Sequence, residues 1–317
     1  LNLESLRVLA SFDLPERYMG QIRSVSPRVN VEKCVDKRKI LDAIRGVEVL
    51  YAGLFDRDIF MAADKLRWIH SQRAGIDPFL FPEFVESDIL LTNARGIHRT
   101  QVSEHAMCLM LAWSRRLHKF IGSQHEAKWS RYETDEVWRK TIGIIGLGEI
   151  GSEIASKAKC FNMKVLGLDV REVRPPQVDE IIRPEKLPSL LRRSDYVVLA
   201  APLTPTTRGL IGEKELKQMK RTAVLMNISR GGLVREEELV EALKERRIAG
   251  AALDVFETEP LPPDSELWKM DNVIVTPHVA GTTPHYDRRA TPIFRKNLKR
   301  YIEGKPLINL VDKERGY

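Results

Sequence analysis

The stretch TIGIIGLGEIGSEIA, residues 141–155, sets the tightest limit on how this chain can fold. An apolar, β-branched run meets Gly146, Gly148 and Gly151 in a GxGxxG pattern, and an amphipathic segment follows at once. Such glycines permit a tight strand-to-helix turn, let a pyrophosphate approach the backbone, and let the helix pack closely on the strand. GxGxxG alone is weak evidence, because any tight turn into a helix can use glycines. Here the next apolar run, KVLGLD, ends in Asp169, 18 residues after Gly151. An acidic residue at that distance can accept hydrogen bonds from an adenosine ribose, so the pattern predicts a dinucleotide site. A carboxylate there would repel a 2′-phosphate, which favours NAD over NADP; Arg171 and Arg174 close behind pull the other way.

Further runs of the same kind recur along the chain. RVLASF, VEVLYAG, RWIHSQ and ILLTNA come first; YVVLAAP, AVLMNIS, GAALDV and VIVTP follow the glycine motif. They are apolar almost throughout rather than alternating, as parallel strands covered by helices on both faces should be. The expected class is α/β, with two Rossmann-like, doubly wound parallel-sheet domains. A length of 317 residues suits two domains.

Between the two sets of strands, Val102, Ala106, Leu109, Trp113, Leu117 and Phe120 recur at steps of three and four. This spacing predicts one long helix over 99–121, where one domain hands over to the other. Pro284 is placed to open the final helix. The expected division is therefore residues 1–97 plus 286–317 for a discontinuous substrate-binding domain and 98–285 for the dinucleotide-binding domain.

Composition narrows the function classes. A hydrophobic fraction of 43% and a charged fraction of 30% are those of a soluble globular protein. No apolar run reaches the roughly 18 residues of a membrane helix, and LNLESLRVLASFDLP lacks the regions of a signal peptide. A cytoplasmic protein with no added regulatory domain and no membrane partner is expected. Cys34, Cys108 and Cys160 show neither CxxC pairing nor metal-ligand spacing, and read as reduced core thiols, with no metal site. The net charge of +7 sits in helix-like clusters such as KERR and RKNLKR without interleaved aromatics, so a nucleic-acid partner is not expected.

Three more stretches fall at strand ends, where open α/β sheets hold their ligands. NISRGG carries Arg230, LDVFETEP carries Asp254 and Glu259, and TPHVAG carries His278. Each has a bland reading: a surface arginine, a solvated glutamate, a core histidine with one hydrogen bond. Together beside a dinucleotide they make a chemically complete set for reducing a carbonyl. A histidine can give a proton to the oxygen, because its pKa lies near neutrality. A carboxylate on its other nitrogen fixes the tautomer and favours the imidazolium. An arginine fork grips a substrate carboxylate and polarises the carbonyl.

VSEHAM (102–107), GIIGLGEIG (143–151), APLTPTTRGLI (201–211), NISRGG (227–232), ALDVFETEP (252–260) and TPHVAG (276–281) occur in that order. On these motifs nearly the whole chain resembles the D-isomer-specific 2-hydroxyacid dehydrogenases. The resemblance implies Arg230, Glu259 and His278 as the catalytic set of an NAD-dependent oxidoreductase that moves a hydride between the cofactor and a 2-keto or 2-hydroxy acid. It also implies cofactor contacts at Gly146, Gly148, Glu149, Ile150, Gly151, Asp169, Pro202, Ile228, Ser229, Arg230, Asp254, His278 and Gly281. Substrate contacts are implied for Arg230, His278 and the loop SQRAGID, where the N–H groups around Ala74 and Gly75 would bind the carboxylate and Arg73 a further anionic group. The family places its ligand in a cleft between two domains and pairs its subunits through the cofactor domain, so a homodimer is expected, with Trp113 on the helix face as a contact. His105 is left outside the catalytic set, since its place on the long helix favours a structural hydrogen bond. Formate is disfavoured because the related formate dehydrogenases pair their histidine with a glutamine. The alternative is an NAD-binding scaffold of the kind found in the C-terminal binding protein corepressors, which share the fold and can keep the same triad.

Overall fold

The computed structural model describes residues 5–315. The chain divides into two compact units, Leu1–Ile97 with Thr283–Tyr317, and His98–Thr282. The first four residues of the N-terminal stretch LNLESLRVLASFDLP lie outside the described residues.

The first unit is a parallel sheet of β1 (Leu6–Ala10), β2 (Val29–Lys33), β3 (Val49–Ala52), β4 (Trp68–Ser71) and β5 (Leu90–Asn93), in the order β2-β1-β3-β4-β5. On one face Val8, Val49, Tyr51 and Trp68 pack with Met19 and Ile22 of the helix Glu16–Arg23 and with Phe294 and Leu298 of the last helix, Tyr286–Ile302. The Tyr51 and Phe294 rings stack with centroids 4.2 Å apart. On the other face Leu9, Leu50 and Ile69 meet Ile40, Ile59 and Phe84 from three short helices. Both faces of its inner strands are therefore dry, which is why β1, β3 and β4 are mostly apolar.

His70 lies in the middle of this sheet, fully buried, with Nδ1 2.7 Å from Thr92 Oγ1. Burial pushes its pKa down to about 3. The unfolded chain takes up this proton near pH 6.5 while the folded one refuses it, so stability present above 6.5 drains away as pH falls toward 3. The loss is on the order of 3–5 kcal/mol. In urea unfolding at several pH values, His70→Gln should flatten this acid slope by up to one proton's worth, and a variant curve parallel to the parent's would contradict the assignment.

The second unit holds β6 (Thr141–Ile145), β7 (Lys164–Leu168), β8 (Glu180–Ile182), β9 (Tyr196–Leu199), β10 (Val224–Asn227), β11 (Gly250–Leu253) and β12 (Val273–Val275). All pair in parallel, in the order β12-β11-β10-β9-β6-β7-β8. The order reverses between β6 and β9, the switch point at which such sheets bind ligands beyond the strand ends. Helix Arg99–Ser114 packs against helix Glu149–Cys160 over one face of this sheet.

Four expectations need correction. The long helix over 99–121 is two helices, Arg99–Ser114 and Leu117–His125, broken where Arg116 adopts φ 55°. Spacing alone could not show this, because the apolar series runs on through the bend to Leu117, which is 49% exposed. Trp113 is buried, its ring against Gly250 and stacked on His118, so it offers no surface. Cys108 and Cys160 are exposed free thiols rather than core ones; Cys108 lies on the helix face opposite Ala106, Leu109 and Met110. Pro284 precedes the last helix, whose first residue is Tyr286. Among the described residues no helix is long and apolar enough to cross a membrane.

Candidate functional site

Strand order lays the candidate residues out along one edge of the second sheet. His278 follows β12, Asp254 and Glu259 follow β11, Arg230 follows β10, Pro202 follows β9, the glycine turn follows β6 and Asp169 follows β7. Residues far apart in sequence thus become neighbours because parallel strands all end on the same side.

At the glycine turn Gly146 has φ +98°, and a Cβ there would lie 2.6 Å from the Ala201 nitrogen. A Cβ on Gly151 would sit 1.9 Å from the Gly146 carbonyl oxygen, so no side chain fits at either place. Gly148 differs, since a Cβ there would meet nothing within 4 Å. It caps helix Glu149–Cys160, whose first turn, including exposed Glu149 and half-buried Ile150, faces the same open space with its N–H groups unclaimed by helix geometry. An open cradle over a helix N-terminus is what a dinucleotide's pyrophosphate requires, so the residues fit that group.

Asp169 is tied to this turn. Its Oδ2 accepts the Leu147 N–H at 2.8 Å and an Arg171 guanidinium N–H at 2.9 Å, and its Oδ1 accepts the Arg171 backbone N–H and Nε–H at 2.9 and 3.0 Å. Burial would raise its pKa, but the Arg171 guanidinium and the two backbone N–H groups outweigh this and hold it below the usual carboxylate range. The four bonds use about all the lone-pair sites of a carboxylate.

His278 is no core histidine, for its side chain is 48% exposed. Nδ1 lies 2.6 Å from Glu259 Oε2, and Glu259 Oε1 accepts the Phe256 N–H at 3.0 Å. The carboxylate is therefore aimed by its own loop and in turn orients the ring. The histidine backbone is left-handed, φ 51°, an uncommon state for a residue with a Cβ.

Asp254 holds that turn. Its carbonyl accepts the His278 N–H at 2.8 Å, Oδ1 accepts the Thr276 hydroxyl at 2.6 Å and the Val279 N–H at 3.0 Å, and Oδ2 accepts the Ala280 N–H at 2.9 Å. Asp254 is 1% exposed, so its carboxylate is first of all a clamp for residues 276–280.

Arg230 is part-buried, with Nη1 donating to the Ser229 carbonyl at 2.8 Å. Its loop is fixed by Asn227, whose Nδ2 donates to the Arg230 carbonyl and whose Oδ1 accepts the Ser229 N–H. Ser229 Oγ reaches the Ala201 carbonyl beside Pro202, and Ile228 is buried. Gly281 accepts from Gln101 Nε2 through its carbonyl at 3.4 Å. Sequence reading missed Asn227 and Thr276; a polar residue ending an otherwise apolar strand was the available signal.

In the first unit, β4 leads into the loop holding Arg73, Ala74 and Gly75. Asn93 Nδ2 donates to the Ala74 carbonyl at 2.9 Å, and the Arg73 carbonyl accepts the Ala94 N–H at 3.1 Å, which leaves the Arg73 side chain exposed.

Residues 107–280 match the model of the D-isomer specific 2-hydroxyacid dehydrogenase NAD binding domain. The chain is 34% identical to a glyoxylate reductase of Korarchaeum cryptofilum, covering 97% of this chain and 96% of that protein. It is 35% identical to a D-3-phosphoglycerate dehydrogenase of Methanocaldococcus jannaschii over 97% of its own length, but spans only 59% of that protein. Among solved structures, an NADPH-dependent glyoxylate/hydroxypyruvate reductase of Sinorhizobium meliloti, determined with NADP and sulfate, superposes with a TM-score of 0.86 at 29% identity, covering 99% of this chain and 100% of that one. With six motifs in order, two parallel sheets and a family model spanning over half its length, the chain belongs to the D-isomer specific 2-hydroxyacid dehydrogenases.

Proposed function

We propose that the protein reduces small 2-keto acids to D-2-hydroxy acids with a nicotinamide dinucleotide, NADH in preference to NADPH. The observation that carries this reading is the 2.6 Å contact between His278 Nδ1 and Glu259 Oε2 on an exposed ring. The dinucleotide, when bound, supplies the hydride for the carbonyl carbon. With Nδ1 turned to Glu259, Nε2 is the nitrogen that gives a proton to the carbonyl oxygen as negative charge builds there. Arg230 takes the substrate carboxylate in its fork. In the first unit, the loop of Arg73, Ala74 and Gly75 offers backbone N–H groups and a positive charge suited to an anionic substrate.

The cofactor would be held by Gly146, Gly148, Glu149, Ile150 and Gly151 at the pyrophosphate, by Asp169 at the ribose, and by Pro202, Ile228, Ser229, Arg230, Asp254, His278 and Gly281 toward the nicotinamide. The names of the relatives put glyoxylate and hydroxypyruvate first among substrates to try. The decisive assay follows NADH and NADPH oxidation with glyoxylate, hydroxypyruvate and 3-phosphohydroxypyruvate. No turnover with any of them would favour the scaffold reading.

The preference for NADH rests on the Asp169 carboxylate beside the glycine turn. A ribose hydroxyl can join it once the exposed Arg171 side chain swings away. Asp169→Ala should weaken NADH binding by a charge-assisted hydrogen bond's worth, about 1.5–3 kcal/mol, and narrow the gap to NADPH. Titrations showing that the parent already prefers NADPH would reverse the assignment and make Arg171 the phosphate partner.

A homodimer through the second unit completes the reading. Trp129, Trp138 and Leu117 are 93%, 50% and 49% exposed there, apolar side chains that a second copy would cover. Light scattering at micromolar concentration should give the mass of two chains, and a monomer mass would refute this.

A further inference from the structure

His105 has no part in the mechanism above, yet its ring reaches the clamp beneath His278. It stands on helix Arg99–Ser114, 19% exposed, with Nε2 3.0 Å from Thr276 Oγ1 and 3.5 Å from Asp254 Oδ1. The Thr276 hydroxyl has a single proton, and the 2.6 Å bond to the Asp254 carboxylate uses it. Thr276 therefore faces His105 with a lone pair, so Nε2 must carry the hydrogen and donate. The tautomer of His105 follows from that count alone.

Asp254 Oδ1 thus accepts from two donors, Thr276 Oγ1–H and Val279 N–H, with His105 Nε2 3.5 Å away. Its Oδ2 takes the Ala280 N–H. The same helix also touches the far end of the turn, through Gln101 Nε2 and the Gly281 carbonyl. Between these two ties His278 keeps its left-handed φ of 51°. For a residue with a Cβ that state persists only when its surroundings over-determine it.

We infer that His105 is a positioning residue: by donating to Thr276, beside the Asp254 carboxylate, it locks the 276–280 turn from outside and so fixes where the His278 ring points. This rests on the reading of His278 as the proton donor. Loss of the donor would free the turn to relax and move the ring from its working place, without touching substrate or dinucleotide.

The test compares His105→Leu, His105→Gln, Thr276→Val and the double variant His105→Leu/Thr276→Val. A glutamine amide can stand in for Nε2–H. His105→Leu should lower kcat with a 2-keto acid by about 10- to 100-fold with little change in KM, as a ring misplaced by about an ångström would. Gln should restore most of the rate, and the double variant should be no slower than the slower single one, since both cut the same tie. In ¹⁵N-histidine NMR spectra of the substrate-free protein, the His278 peaks, assigned by their loss in His278→Asn, should move in His105→Leu and Thr276→Val and return in His105→Gln. Unchanged kcat with unmoved His278 peaks would overturn the inference. So would a loss of rate accompanied by lost dinucleotide binding and thermal stability that Gln does not repair. If the parent turns over no 2-keto acid, the functional reading falls, while the His278 peaks still decide whether His105 holds the ring.

Discussion

His278→Asn is expected to fold, to bind the reduced dinucleotide as the parent does, and to turn over a 2-keto acid about 10²–10⁴-fold more slowly, the usual worth of a positioned proton donor. Asparagine is the informative replacement. The native backbone is left-handed at this position, and asparagine is among the few residues that tolerate that region, so the turn held by Asp254 should survive. The substitution then removes little besides the ring. Glu259→Gln should also slow turnover, because the amide has one accepting oxygen where the carboxylate uses two, so that either Nδ1–H or the Phe256 N–H is left facing an NH₂ group. Stopped-flow rates and dinucleotide titrations on the same preparations separate the outcomes. A His278→Asn protein with the parent's rate would make the 2.6 Å contact with Glu259 a structural ion pair and nothing more.

The framework of both sheets could be read from continuous apolar runs, because a strand covered on both faces has no polar side to show. The two strands that escaped reading are both edge strands. β2, with the sequence VNVEK, buries only its two valines, and β8 is the three residues EII with a single buried position. An edge strand has one neighbour and more exposed faces, so its sequence mixes polar with apolar residues and loses the signal. The break at Arg116 escaped for another reason. It is a single left-handed residue in SRRL, where no glycine or proline marks the turn, and the three-and-four spacing runs straight across it.

The candidate site was legible wherever chemistry demands a residue type at a strand end: His278, Glu259, Arg230, Asp169 and the glycines. What spacing could not convey is how those residues are held. Asn227 and Thr276 bond to backbone and side-chain atoms next to the reactive groups, and Asp254, read as a cofactor contact, spends its carboxylate on the turn that presents His278. Such partners are chosen by three-dimensional proximity, and many polar residues at many spacings could fill those roles.

Two glycines beside the site should respond to the same substitution in opposite ways. Gly231 lies directly after Arg230, and a Cβ there would sit 1.9 Å from both the carbonyl carbon and the oxygen of Phe256. Those are backbone atoms of the loop whose Phe256 N–H and Glu259 carboxylate orient His278. Neither loop can yield by turning a side chain, so Gly231→Ala must push the two backbones apart by about an ångström or more. A shift of that size should cost about 10²-fold in rate, and the overpacking about 1–3 kcal/mol of stability. Gly148→Ala meets nothing within 4 Å and keeps a backbone any residue can adopt, φ −72° and ψ −164°. Its methyl would instead project into the space where a pyrophosphate must lie, so the protein should unfold at the parent's temperature while dinucleotide affinity drops by about tenfold or more, some 1.4 kcal/mol. Thermal unfolding and dinucleotide titration of the two variants side by side settle the matter. If Gly148→Ala binds as tightly as the parent, the cradle over helix Glu149–Cys160 is not where the pyrophosphate rests; if Gly231→Ala keeps the parent's rate and stability, the close approach of the Arg230 and Glu259 loops has no bearing on the chemistry.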